Sequence, residues 1–144
     1  MPKKGEKVLY VVADDDDFQK AYPSDAGFDI RMPYTTDVLN HLPVVVETNV
    51  RVALPENCVG ILTVRSSIGA RGITISGGIG VIDAGYRGKI KLSLISHKYP
   101  QTLFKGERVA QLLVVPLQPV AVRRVEELPP GDRGEKGLGS TGKD

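Results

Sequence analysis

Tryptophan is absent, and cysteine occurs once, at Cys58. A lone thiol cannot close an internal disulfide, so the fold must rest on core packing and hydrogen bonding. His41 and His97 stand outside any recognisable motif, which leaves Cys58 without a setting for thiol catalysis; it reads as a small core residue. Long apolar runs are also missing. No stretch approaches the roughly 20 residues needed to cross a bilayer, and the N-terminus lacks the apolar segment of a signal peptide. These absences predict a cytoplasmic protein with no membrane partner. Nor does one charge dominate: 19 basic against 17 acidic residues leave +2, too little for general nucleic-acid binding, so any anion site must be local. A chain of 144 residues is long enough for one domain with a real core and too short for two.

What recurs is short runs of Val, Ile and Leu, at about 7–13, 44–53, 58–65, 88–96, 107–116 and 120–126, separated by Gly, Pro, Asp and Asn. That rhythm predicts an all-β sandwich or barrel. Thr48 to Leu54 and Gly88 to Ile95 alternate polar with apolar residues, as strands with one wet face do. Helix signals are confined to a turn or two around Ser66 to Ala70, limited by the glycines at 69 and 72. Four adjacent carboxylates, Asp14 to Asp17, cannot all converge on one ion from an extended loop and predict a solvated turn. Val120 to Leu128 is the last apolar stretch before Pro129-Pro130-Gly131. The organisation expected is a β domain over residues 1–128 and a flexible glycine-rich arm over 129–144. A loose strap after a terminal strand is often used on a neighbouring subunit, which predicts an oligomer.

The arm combines glycine, hydroxyl and cationic groups with little to bury. Gly137 to Lys143 fit the G-x-x-x-x-G-K spacing of a P-loop, but Asp144 stands where that motif needs Ser or Thr for magnesium. Two readings remain open for it: a strap closing over phosphates held elsewhere, or a solubilising tail. Within the body, Arg65-Ser66-Ser67 places a guanidinium and two hydroxyls at the mouth of the short helix. That is either an anion cradle, or a helix cap with Arg65 paired to a surface carboxylate. Ile73 to Gly88 reads as a glycine-relieved hairpin ending in a tight turn. Its glycines would let a planar ligand reach the main chain, Asp83 could act as a general base for water, and Tyr86 could stack on a sugar or base; the plainer reading is an ordinary turn with Tyr86 covering the core edge.

Taken in order, Ala26 to Ile30, Arg65 to Gly69, Gly80 to Gly88, Gly106 to Leu112 and Arg133 to Gly142 resemble the five motifs of the trimeric dUTP pyrophosphatases, the dUTPases. The resemblance spans about residues 26–142. It implies a jelly-roll-like β-sandwich (the dUTPase-like β-clip), a homotrimer with sites at subunit interfaces, and a C-terminal arm closing over a site built by other chains. The implied activity is magnesium-dependent hydrolysis of dUTP to dUMP and pyrophosphate, which limits uracil in DNA and supplies dUMP for thymidylate synthesis. By position, Asp83 would be the base for the water attacking the α-phosphorus, and Tyr86 would lie under the deoxyribose and exclude a 2′-hydroxyl. Arg65, Ser66 and Gln111 would hold the phosphate chain, with Ser67, Gly77, Gly80, Ile82 and Lys91 also binding substrate. Asp29 would help position magnesium through water, while Arg133, Leu138, Gly139, Ser140 and Thr141 would close from the arm.

The chain departs from the family pattern in several places. Leu138 occupies the position of an arm aromatic, Lys136 that of an arm glycine, Gly85 that of a second acidic residue after Asp83, and Gly77 lies near a frequent Asn. Gly85 points to a rival family, the dCTP deaminases, which share the Arg-Ser-Ser motif. Their catalytic glutamate falls at Ser93 here, and a hydroxyl cannot replace that carboxylate as a proton shuttle. A third reading is a dUTPase-like protein whose main role is to bind a regulatory partner.

Overall fold

The computed structural model describes residues 3–139. Its strands are β1 (Tyr10–Val12), β2 (Phe18–Gln19), β3 (Phe28–Arg31), β4 (Thr36–Val38), β5 (Val44–Ala53), β6 (Cys58–Val64), β7 (Ile73–Ile75), β8 (Gly80–Ile82), β9 (Lys89–Ser96), β10 (Gln101–Leu103) and β11 (Arg108–Pro116); the one α-helix among the described residues, α1, covers Ser66–Ala70. Two antiparallel sheets, ordered β1-β5-β9-β7 and β2-β3-β11-β6-β8, make a β-sandwich, with β4 and β10 paired separately.

The alternation in the sequence is what builds the two inner faces. In β5, Val46, Thr48, Val50 and Val52 are buried while the residues between them are exposed, and Ile90, Leu92 and Leu94 of β9 do the same beside them. They meet Ile30, Leu62, Ala110 and Leu112 of the second sheet in one core closed by Met32, Val38 and Leu103. Thr48 is the polar exception. Its hydroxyl donates to the Ile90 carbonyl at 2.7 Å and accepts the Val50 N–H at 3.2 Å, so the buried oxygen is fully satisfied where the β5–β9 register shifts. Cys58 is buried, as its isolation predicted. Asp15–Asp17 form a single exposed 3-10 turn with no buried residue.

Two expectations are corrected. Residues 73–88 do not form one hairpin: β7 pairs with β9 and β8 with β6, so the chain changes sheets between them. Gly77 and Gly78, with φ of 87° and 97°, allow that tight crossing, and only an isolated Ile75–Gly78 bridge remains. The run at 120–126 is not a strand. Val120 and Val122 are 78% and 77% exposed, and β11 ends at Pro116.

Candidate functional site

Leaving the arm aside, the predicted residues fall into two groups. The first surrounds a cleft of about 260 Å³ lined by Leu62, Gly80, Val81, Ile82, Asp83, Tyr86 and Lys91. Pairing of Gly80 with Leu62 and of Ile82 with Gly60 carries Asp83 just past the end of β8. Its carboxylate is exposed and joins no ion pair among the described residues. The turn that follows is tightly wired: the Tyr86 N–H donates to the Asp83 carbonyl at 3.0 Å, and Arg87 Nη1 donates to the Ala84 carbonyl at 2.7 Å. Tyr86 folds back so that its hydroxyl donates to the Lys89 carbonyl at 2.7 Å, presenting a half-exposed ring face beside Asp83. Gly88 is what permits this. A β-carbon there would lie 2.5 Å from Tyr86 Oη and 2.7 Å from Cζ. Gly77 stands on the exposed crossing with no atom within 4 Å of the place a β-carbon would take, so its main chain is open to a ligand.

The second group lies on the outer face of β3, β11 and β6. Gln111 is opposite Asp29 on one side and Thr63 on the other. Arg108 is three residues from Gln111, a spacing that puts side chains on opposite faces of a regular strand. A β-bulge between Arg108 and Ala110 changes that. Val109 and Ala110 are both fully buried, so Arg108 and Gln111 emerge together on the outer face. Asp29 sits between two guanidinium groups, 3.2 Å from Arg65 Nε and 3.8 Å from Arg108 Nη1. The Arg65 N–H donates to the Val109 carbonyl at 3.0 Å, tying the entrance of α1 to the bulge. Ser66 and Ser67 open α1 with exposed side chains, and no side-chain hydrogen bond caps the helix. Of the two sequence readings of this segment, serine capping is therefore excluded, while Arg65 does pair with a carboxylate, one nearly buried on the face beside Gln111. Gly27 makes room for Gln111: a β-carbon there would lie 2.6 Å from Oε1.

The described arm residues, 129–139, are exposed and line neither group. Arg133, Leu138 and Gly139 are exposed, and Ser140 and Thr141 lie outside the described residues. Among the described residues no group of three or more His, Cys, Asp or Glu side chains could hold a metal, and the Asp29 carboxylate faces cations on both oxygens. The chain's own residues fit magnesium only as an ion carried by a ligand.

A family model described as dUTPase matches residues 14–142. The chain belongs to the dUTPase family. It is 42% identical over 125 residues to the deoxyuridine 5′-triphosphate nucleotidohydrolase of Cutibacterium acnes, covering 85% of this chain and 82% of that one. The Streptomyces coelicolor nucleotidohydrolase is 37% identical over 147 residues, 99% of this chain and 80% of that one. Among solved structures, a Staphylococcus bacteriophage 80alpha dUTPase with dUPNHPP superposes with a TM-score of 0.80 at 29% identity, covering 94% of this chain and 99% of that chain. Within this dUTPase fold the residue that sequence reasoning left without a role is Arg108. The signal was present in Arg108-Val109-Ala110-Gln111, where two adjacent apolar residues between polar ones break the strand alternation and mark the bulge.

Proposed function

We propose that the protein hydrolyses dUTP to dUMP and pyrophosphate in a homotrimer. The observation that carries this reading is the exposed Asp83 carboxylate sharing a cleft with the back-folded Tyr86 ring. Uracil sits against the main chain around Gly77, with Gly80 and Ile82 lining the pocket, Lys91 at its rim and the Tyr86 ring under the deoxyribose. Asp83 accepts a proton from water as the water oxygen bonds to the α-phosphorus; the bond from that phosphorus to the bridging oxygen breaks and pyrophosphate leaves. Arg65, Ser66, Ser67 and Gln111 hold the phosphates through charge-assisted and hydroxyl or amide hydrogen bonds. Arg133, Leu138, Gly139, Ser140 and Thr141 close over the nucleotide from another chain's arm. Magnesium bound with the substrate would supply charge neutralisation on the triphosphate. Asp29, whose oxygens both face guanidinium groups, would reach it only through water.

The separation of the two groups supports a site shared between subunits. Asp83 lies just past Ile82, which pairs with Gly60, whereas Arg65 follows the other end of β6. The six steps of nearly extended chain from Val59 to Arg65, one residue past the end of β6, span about 20 Å, and Arg65 is paired with Asp29. The nucleoside cleft of one copy and the phosphate face of another make the pair that one chain keeps apart. The exposed edge strand β1, with Tyr10 and Val12 63% and 64% exposed, and the unpaired apolar run from Val120 are further surfaces that such an assembly would cover. Replacing Asp83 with Asn tests the chemistry. The variant should keep its fold and its affinity for α,β-imido-dUTP while losing most turnover, and undiminished turnover eliminates Asp83 as the base.

A further inference from the structure

We infer that Asp29 and Arg108 are positioning residues: Asp29 anchors the Arg65 guanidinium for phosphate binding instead of serving magnesium, and Arg108 holds Asp29 from its other side. The inference rests on the reading above that this face binds the triphosphate. Asp29 is only 9% exposed, although it stands on the outer face of β3, because the two arginines cover it. Each of its oxygens looks at a different guanidinium, so a metal bound directly to this carboxylate would stand against a neighbouring cation. The arginines remain about one-third exposed at 34% and 36%, which leaves guanidinium surface for a ligand's oxygens.

Two separate contacts fix Arg65 to the same feature. Its N–H donates to the Val109 carbonyl, within the bulge, and its Nε forms an ion pair at 3.2 Å with Asp29, whose other oxygen faces Arg108, the residue preceding Val109, at 3.8 Å. A free arginine side chain must surrender its rotamer freedom when it meets a phosphate. One already held in place has lost that freedom during folding, and the difference appears as affinity. The bulge is therefore the working part: without the extra residue Arg108 would point into the core and Asp29 would have a single partner.

The test is calorimetric binding of α,β-imido-dUTP to the assembled full-length protein, in EDTA and again in magnesium, for the wild type, Asp29→Asn and Arg108→Lys. Asp29→Asn should weaken binding in EDTA by about tenfold or more, with the added effect of magnesium the same as in the wild type. Arg108→Lys keeps the charge but loses the planar fork, and should weaken binding in EDTA by a smaller factor, again with an unchanged magnesium increment. Wild-type affinity of Asp29→Asn in EDTA, with loss only of the magnesium increment, would assign Asp29 to the metal and overturn the inference. Tighter binding in EDTA would also overturn it, since the carboxylate would then only be offsetting positive charge. If Asp29→Asn does not assemble, Arg108→Lys decides alone, and its binding as the wild type does would overturn the inference. A wild-type protein that fails to bind the analogue would overturn both this inference and the dUTPase reading, which separates the two failures.

Discussion

Gly88 is where a single methyl group should change substrate choice. A β-carbon at this position would stand 2.5 Å from Tyr86 Oη and 2.7 Å from Cζ, against an ordinary contact of about 3.5–4 Å. Gly88→Ala therefore forces the ring outward by about 1 Å. Tyr86 is 39% exposed, so the ring has solvent to move into, but it leaves the Lys89 carbonyl that its hydroxyl binds at 2.7 Å. One partly exposed hydrogen bond and some packing amount to about 1–2 kcal/mol of stability. The functional effect should be larger, because the displaced ring is the surface proposed to leave no room for a 2′-hydroxyl. The ratio of kcat/KM for dUTP to that for UTP should fall by roughly tenfold or more, each tenfold corresponding to about 1.4 kcal/mol of discrimination. Steady-state pyrophosphate release on the two substrates, together with a thermal melt, measures both effects. An unchanged ratio in a variant of wild-type stability would refute the assignment of Tyr86 as the sugar gate.

Gly27→Ala should displace the Gln111 carboxamide, since the new β-carbon would lie 2.6 Å from Oε1 and 3.0 Å from Cβ of that residue; KM for dUTP should rise by about tenfold with an unchanged fold, measured by initial rates and circular dichroism. Truncation after Gly131 should leave the assembly intact by sedimentation while kcat/KM drops by at least about tenfold, and full activity would reduce the arm to a tail. Leu138→Phe should tighten α,β-imido-dUTP binding by about fivefold, from roughly 1 kcal/mol of added stacking on the base.

Much of the fold was legible because alternation in β5 and β9 encodes which face is buried, and Val50, Leu92 and Leu94 lie where that pattern puts them. The helix at Ser66–Ala70 was legible from the glycines that bound it. Sheet membership was not. The glycines at 77 and 78 announce a tight reversal of the chain, yet a reversal within one sheet and a crossing between two look alike in sequence. The segment at 120–126 has the composition of a strand, but pairing depends on a free edge within reach, which local pattern does not report. For the site, the order of motifs singled out residues that the structure gathers around one cleft and on the outer face of β3, β11 and β6. The position of Arg108 beside Gln111 was hidden because residue parity along β11 is reset by a bulge, and the Asp29 contacts on both oxygens are tertiary facts that no spacing rule supplies.

The most direct test of the central claim is to incubate the purified protein with magnesium and, separately, dUTP, dCTP, dTTP and UTP, following pyrophosphate and ammonia together. Pyrophosphate from dUTP alone, without ammonia from any substrate, is the expected result and establishes base and sugar selectivity in one experiment. Ammonia from dCTP would contradict the account, which expects Ser93 in the place of a deaminase's glutamate, and silence on all four substrates would contradict the assignment of hydrolysis itself.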